Sequence, residues 1–136
     1  LAERFPSNED IEYAPGMVLE IDPENPGMVR LATSAYSPLV AGIVSGANGL
    51  PAGTIMGNMP GMEDATPIAL SGRVWVYCDT AIHAIKPGDL LTTSATPGHA
   101  MMAGDLSKAP GSILGKAMSS LEQGETGMVL VLVGLQ

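Results

Sequence analysis

Apolar residues in this chain come in short runs, and Gly, Pro, Asn or Asp separates each run from the next. The runs are rich in Val, Ile and Leu, and short runs of this kind between turn residues predict β-strands rather than helices. We therefore predict a series of short strands at Met17–Ile21, Met28–Ala32, Val40–Ser45, Thr54–Met56, Pro67–Leu70, Arg73–Cys78, Asp89–Thr93, Ala100–Ala103, Ser112–Met118 and Gly127–Leu135.

The pattern of turns and strands occurs twice, in residues 15–78 and again in residues 87–136, at an offset of about 72 residues. Pro-Gly opens each half and a second Pro-Gly follows about ten residues later. A unit of this length present only twice indicates a duplicated β-fold rather than a solenoid. We predict a single all-β domain over residues 1–136, a compact barrel or β-clip, with its halves related by a pseudo-twofold axis.

Glycines mark the turns of this fold. Glycine adopts positive φ without steric cost, so it is the usual residue where the chain must turn sharply. The glycine within the strand-like run at residues 67–78 predicts a bend there. The predicted turn glycines are Gly16, Gly27, Gly72, Gly88 and Gly98.

Charge narrows the class of partner. The 136 residues carry a net charge of -8, with fourteen acids against six bases. No two bases are adjacent, whereas binding a phosphate backbone needs clustered Lys and Arg, so we expect no nucleic-acid binding. Seven acids fall in the first 24 residues, and residues 1–14 form an acidic N-terminal segment. We expect these acids to form a solvated edge.

The last strand is apolar without alternation, so both of its faces must be covered. In a domain this small one cover is its own sheet, and the second cover is another subunit. We therefore predict a homo-oligomer, most simply a trimer, and no membrane insertion, because the run is too short to span a bilayer. The predicted interface residues are Met128, Val129, Leu130, Val131, Leu132 and Val133.

Candidate chemistry is sparse. Cys78 is the only cysteine, so no intrachain disulfide forms, and we expect a buried structural thiol. Met56, Met59 and Met62 have the spacing of a weak soft-metal site, but methionine also fills aromatic-poor cores. We favour the core role and expect no cofactor, no metal and no catalysis on an external substrate.

Several segments, in order along the chain, resemble a C-terminal module of phage tail-fibre and repetitive bacterial surface proteins. They are Leu1–Phe5, Pro15–Val18, Gly42–Ser45, Ile68–Val74, Ile85–Thr92 and Ile113–Ala117. The resemblance implies an all-β fold, a trimer, and a virion or cell-surface location. It also implies a structural role: trimerisation, nucleation of folding, or capping of a fibre, as part of a longer chain.

Two alternatives stay open. Ala2-Glu3-x-Phe5 is distantly similar to the start of the self-cleaving C-terminal domain of phage tail appendages. That similarity implies autoproteolysis before Leu1 by an intramolecular chaperone, with Glu3 and Asp10 as the candidate acids. A capsid-decoration protein is the third reading, because such proteins are also small, glycine-rich and trimeric.

Overall fold

The computed structural model describes residues 1–50, 55–56 and 65–135. Within them the chain forms β-strands and one 3₁₀ turn (Ala47–Gly49), and no α-helix. The strands are β1 (Ala2–Phe5), β2 (Val18–Ile21), β3 (Val29–Leu31), β4 (Val40–Val44), β5 (Ile55–Met56), β6 (Thr66–Ala69), β7 (Gly72–Cys78), β8 (Leu90–Thr93), β9 (Ala100–Met102), β10 (Ile113–Ala117) and β11 (Gly127–Val133). The all-β prediction is confirmed, and β1 is the strand that the hydrophobic pattern did not predict.

The strands form two sheets, and both wrap around a core. The second sheet is a closed barrel in the order β10-β11-β7-β9-β8. The first has the order β3-β2-β4-β6-β1-β5, and a parallel bridge between Ser7 and Val29 joins its two sides. The Val29 N–H donates to the carbonyl of Pro6 at 3.0 Å, so the first sheet also closes on itself.

The duplication is visible in the strand register. Leu19 of β2 pairs with Gly42 of β4, and a β-bulge interrupts the ladder beside this pair. Leu91 of β8 pairs with Gly115 of β10, and the ladder there is interrupted at the same place. Equivalent strands therefore keep the same register, including its irregularity.

The pairings move the start of each repeat upstream of the predicted halves 15–78 and 87–136. β1 pairs antiparallel with β6, and β7 pairs antiparallel with β11, so β1 and β7 are equivalent. The parallel pair Cys78–Ala100 matches the bridge at the end of β1. We call residues 1–70 the first repeat and residues 72–135 the second. Only Leu70 and Ser71 separate β6 from β7, and Gly72, the first residue of β7, has φ +83°. The two strands therefore look like one run in the sequence.

Each barrel has an aliphatic interior. In the first, Leu19, Val29 and Ile68 are buried with Tyr13 and Val44. The cluster inside the second barrel continues outward to include side chains on the outer surface of the first repeat, among them Val18, Ala32, Val40, Ile43 and Ala69. One apolar core therefore joins the two repeats.

The contact between the repeats uses two different surfaces. The Val18 N–H donates to the carbonyl of Gly98 at 2.8 Å, and the Gly98 N–H donates to the carbonyl of Ala32 at 2.8 Å. A twofold axis would require a matching contact at Gly27, but Gly27 is exposed and a Cβ added there would meet no atom within 4 Å. The expected pseudo-twofold axis is therefore wrong, and the contact is heterologous.

The described ranges also contain no helix of the length and apolarity needed to cross a membrane.

Candidate functional site

A cavity of about 510 Å³ opens at one end of the second barrel. It lies between the end of β7, the turn before β9 and the loop before β11. Tyr77, Asp79, Thr80, His99 and Glu125 are among its lining residues. A concave site with a few polar groups is the usual place to look for ligand chemistry.

The Asp79 carboxylate in this cavity is occupied by donors from the protein. The Ala81 N–H donates to it at 2.9 Å, the Ser94 hydroxyl at 2.8 Å and the Thr96 hydroxyl at 2.9 Å. These bonds, the one from Ala81 first, hold the pKa of Asp79 below its usual range. The carboxylate thus ties the end of β7 to the turn between β8 and β9.

His99 is held against the wall of the same cavity. Its ring centroid lies 5.5 Å from that of Tyr77, and its Nδ1 lies 2.8 Å from the carbonyl oxygen of Pro97. Because a carbonyl only accepts, Nδ1 carries the proton in this bond. Within the described residues, no group of three or more His, Cys, Asp and Glu side chains is arranged to hold a metal ion.

Cys78 beside the cavity is buried and unpaired, as expected from the sequence. Burial raises the pKa of its thiol to about 12, and the Sγ–H donates to the carbonyl of Val76 at 3.5 Å. Since the thiolate is the reactive species, this side chain is a structural element of the barrel and not a nucleophile.

An ion pair in the first repeat has a buried carboxylate and a partly exposed guanidinium. Arg30 Nε donates to Glu20 at 2.7 Å, and the Ser37 hydroxyl donates to the other Glu20 oxygen at 2.7 Å. The Ser37 N–H in turn donates to Thr93 Oγ1 at 2.8 Å, and this bond connects the first repeat to the second. Glu20 is only 2% exposed and Asp22 is also buried, so the expected solvated acidic edge is wrong for these two acids.

The acidic segment 1–14 is anchored to the first barrel through Tyr13. The Tyr13 hydroxyl donates to Glu9 at 2.6 Å and lies 2.5 Å from the hydroxyl of Ser7. Glu9 also accepts the Leu31 N–H at 2.7 Å. Burial, and then the hydrogen bond to Glu9, raise the pKa of Tyr13 to about 12.

The predicted interface strand divides into two faces. Val129, Val131 and Val133 are buried in the barrel, so their own chain already covers them. Met128 and Leu130 are partly exposed, and Leu132 is 48% exposed. The oligomer interface stays a prediction, and the outward-facing residues are the part of the strand that a partner can reach.

A second cavity, of about 220 Å³, lies beside Leu132. Leu90, Ile113, Gly115 and Lys116 are among its other lining residues. Leu132 and this cavity together make a shallow apolar surface on the outside of the second barrel. No polar cluster of the kind found around Asp79 lines it.

The five predicted turn glycines all have positive φ, between +71° and +97°. They differ in surroundings, because Gly16 and Gly98 are buried at the contact between the repeats, whereas Gly27 and Gly88 are exposed. A Cβ on Gly16 would lie 3.2 Å from the ring of Tyr77. Gly16 and Gly98 therefore allow the two repeats to approach each other closely, in addition to forming turns.

The two residues proposed for self-cleavage lie in different parts of the N-terminal segment. Glu3 lies on β1 opposite Ile68, and Asp10 is exposed in the segment that follows. Neither carboxylate makes a hydrogen bond within the described ranges. Of the three methionines with soft-metal spacing, Met59 and Met62 lie outside the described residues, and Met56 is described only as part of β5.

Sequence reasoning missed the Asp79 cluster, although a signal for it exists. Ser94 Oγ accepts the N–H of Thr96 at 3.0 Å, just as Asp22 Oδ1 accepts the N–H of Glu24 at 3.0 Å in the first repeat. Ser and Asp two residues before a turn amide form this bond habitually. Aligning the repeats through their turns would have placed Ser94 and Thr96 at the barrel end.

Within the 510 Å³ cavity, side-chain atoms of Asp79, Thr80 and His99 are hydrogen-bonded to other groups of the protein. No family model matches this chain, and neither the curated proteins nor the solved structures contain a match to it.

Proposed function

We propose that this domain is a structural assembly module, a homotrimer that trimerises, caps or nucleates the folding of a fibrous virion or cell-surface protein. The resemblance of its turn and strand segments to tail-fibre modules gives the setting. The observation that carries the proposal is the exposure of Leu132 on a closed barrel.

Leu132 is 48% exposed in a strand that is hydrogen-bonded on both sides, to β10 and to β7. The side chain therefore cannot turn inward without breaking the barrel. Its neighbours at the 220 Å³ cavity, Leu90 and Ile113, are also apolar. Leu132 and the partly exposed Leu90 line this cavity together with Lys116. Exposed apolar surface rimmed by polar residues marks an interaction site, and burying one leucine stabilises an interface by about 1.5–3 kcal/mol.

The polar side chains support the same role. Asp79 and Glu20 are bonded to partners inside the protein, and no buried side-chain nitrogen or oxygen in the described residues is without a hydrogen bond. Polar groups arranged in this way stabilise loops. The domain thus resembles a rigid building block.

Light scattering coupled to size-exclusion chromatography tests the proposal. The protein should elute with the mass of a trimer, and Leu132→Asp should convert it to a folded monomer. Ile82→Asp is the matched control, because Ile82 is 68% exposed and lies away from the Leu132 cavity. A wild-type monomer at micromolar concentration overturns the proposal.

Expression of a longer chain that begins upstream of Leu1 separates the structural role from self-cleavage. A structural module stays joined to its upstream segment, and intact mass shows the whole chain. A cut before Leu1 that is lost in Glu3→Ala or Asp10→Ala would replace the proposal with the self-cleaving chaperone. Binding of the isolated domain to preformed virion shells would instead favour the capsid-decoration role.

A further inference from the structure

Four outward-facing side chains form a row across the first barrel. Ala2 pairs with Ala69, Ala69 pairs with Ile43, and Ile43 pairs with Val18. We call these four residues the inner row. Each is buried, with Ala69 the most exposed at 6%, because the second repeat covers them: Val18, Ile43 and Ala69 belong to the cluster inside the second barrel.

The equivalent row of the second barrel is uncovered. Arg73 pairs with Leu132, Leu132 pairs with Lys116, and Lys116 pairs with Leu90, in the same register as the inner row. We call these four residues the outer row. Arg73, Lys116 and Leu132 are exposed and Leu90 is partly exposed, so the second repeat presents a surface that the first repeat buries.

The surface that receives the inner row also has an uncovered counterpart. Val74, Leu114 and Val133 of the second repeat are buried in the cluster that the inner row joins, and β10 lies against β4. The strand register places three residues of the first repeat at the same positions, and all three are partly exposed. They are Glu3, Ala41 and Leu70, which we call the Leu70 end.

The turn glycines also differ in exposure between the two repeats. Gly98 is buried where its N–H bonds to Ala32, whereas Gly27, its counterpart, is exposed. Both sides of the contact inside the chain therefore have an equivalent that is exposed or partly exposed. A heterologous contact always leaves one surface of each kind free, and a further copy can use both.

We propose that the outer row of one copy docks on the Leu70 end of the next copy, in the way that the inner row docks within the chain. This inference rests on the proposed function, that the domain is a homo-oligomer. In a trimer, this docking places six repeats in a ring. Contacts between repeats of one chain then alternate with contacts between repeats of different chains. The apolar surface at Leu132 and the cavity beside it are then covered by a second copy of this chain.

Charged residues replace apolar ones in the proposed contact between copies, as expected for subunits that exist separately before they assemble. Lys116 of the outer row stands where the inner row has Ile43, and Glu3 of the Leu70 end stands where the second repeat has Val74. All three lysines of the chain lie in the second repeat, and the first repeat carries nine acids against two bases. A basic surface meeting an acidic one favours the correct partner and speeds encounter.

One backbone bond of the internal contact has no intermolecular equivalent. The Tyr77 N–H donates to the carbonyl of Gly16 at 3.0 Å, and Pro6, which has no N–H, stands at the position of Tyr77 in the first repeat. The Gly98–Ala32 bond can recur as a bond from the Gly27 N–H to the carbonyl of Ala103. The contact between copies is therefore a weaker version of the contact within the chain.

Charge reversal tests the pairing. Lys116→Glu and Glu3→Lys should each weaken assembly of the wild-type oligomer at least tenfold, measured by light scattering over a dilution series. The two changes in one chain should restore it. Lys86→Glu is the control, an exposed lysine of the same repeat outside the outer row. Circular dichroism of each variant shows that the fold is retained.

Mixing tests the head-to-tail character. A Leu132→Asp chain keeps its Leu70 end, and a Glu3→Lys chain keeps its outer row, so the mixture should form a one-to-one dimer and nothing larger. Two results would overturn this interface and leave the assembly role standing. In one, the trimer forms unchanged in both charge-reversal variants. In the other, the single variants dissociate and form no dimer on mixing. A wild-type monomer overturns both.

Discussion

Gly42 and Gly115 hold the same position in the two barrels, and each lies against the carbonyl of a neighbouring strand. A Cβ on Gly42 would lie 2.6 Å from the carbonyl oxygen of Ala69, and a Cβ on Gly115 would be closer still to that of Leu132. Real Cβ atoms do not approach backbone this closely, so an alanine at either position must push two strands apart. Gly42→Ala and Gly115→Ala should each lower the free energy of unfolding by about 2 kcal/mol or more.

Urea denaturation followed by circular dichroism measures this loss. Gly134→Ala is the control, because a Cβ there would meet no atom within 4 Å, and its midpoint should stay near that of the wild type. Equal midpoints for all three alanine variants would contradict the close approach.

The repeat was predictable because its turns need particular residues. Pro-Gly pairs recur where the chain must reverse, so Gly16 and Gly88 mark equivalent points. The true start of the repeat was not predictable, because β1 (Ala2-Glu3-Arg4-Phe5) and its equivalent in β7 (Arg73-Val74-Trp75-Val76) share no residue type at any position. Register and hydrogen bonds define that equivalence, and many side-chain combinations satisfy them.

The candidate interface was likewise only partly predictable from the sequence. The unbroken apolar run of β11 predicted that both faces need a cover, and Leu132 is an exposed apolar residue on its outer face. The sequence could not show which positions of the first repeat are equivalent to it. Ala69 occupies that position, and a buried alanine looks like any other until the strands are paired.

Val131→Asp and Leu132→Asp should have opposite consequences although the residues are adjacent. Val131 is fully buried in the second barrel, and an unpaired carboxylate there costs several kcal/mol or more, a large part of the stability of a domain this size. Leu132 points outward, so its variant should fold. Thermal unfolding should show a cooperative transition for Leu132→Asp and none for Val131→Asp; two variants with the same transition would contradict the assigned faces.

Cys78 should resist thiol reagents in the folded protein. Burial raises the pKa of its thiol to about 12, so almost no thiolate exists at pH 8. An aromatic disulfide reagent should release one equivalent of chromophore in 6 M guanidinium and almost none in buffer. Rapid labelling without denaturant would show that the barrel end at β7 opens to solvent.

Tyr13 should make the protein less stable in alkali. Its pKa is raised to about 12 in the folded state, above the ordinary value of about 10, so the folded protein holds the proton more tightly than the unfolded chain. The stabilisation is complete below pH 10 and is lost as pH rises through 12. Tyr13→Phe should flatten the fall in urea midpoint over this window, whereas Tyr36→Phe should leave it; an unchanged slope in Tyr13→Phe would contradict the assignment.

Asp79 should contribute to the loss of folding stability at acidic pH. Hydrogen bonds from the Ala81 N–H, the Ser94 hydroxyl and the Thr96 hydroxyl lower the pKa of its carboxyl, so the folded state favours the ionised form. That stabilisation is present above the ordinary aspartate pKa of about 4 and is lost as pH falls through the lowered value. Asp79→Asn replaces one of the two acceptor oxygens with an amide nitrogen, which cannot accept a hydrogen bond, and should cost about 1–2 kcal/mol at neutral pH.

The difference between wild type and Asp79→Asn should therefore shrink as the pH is lowered from 6 towards 2. Asp10→Asn is the control, since Asp10 is exposed and makes no hydrogen bond within the described ranges. Its stability should follow the wild type at every pH. A difference between wild type and Asp79→Asn that stays constant across this range would show that the carboxylate charge does not hold the end of β7 to the turn before β9, and that shape alone keeps them together.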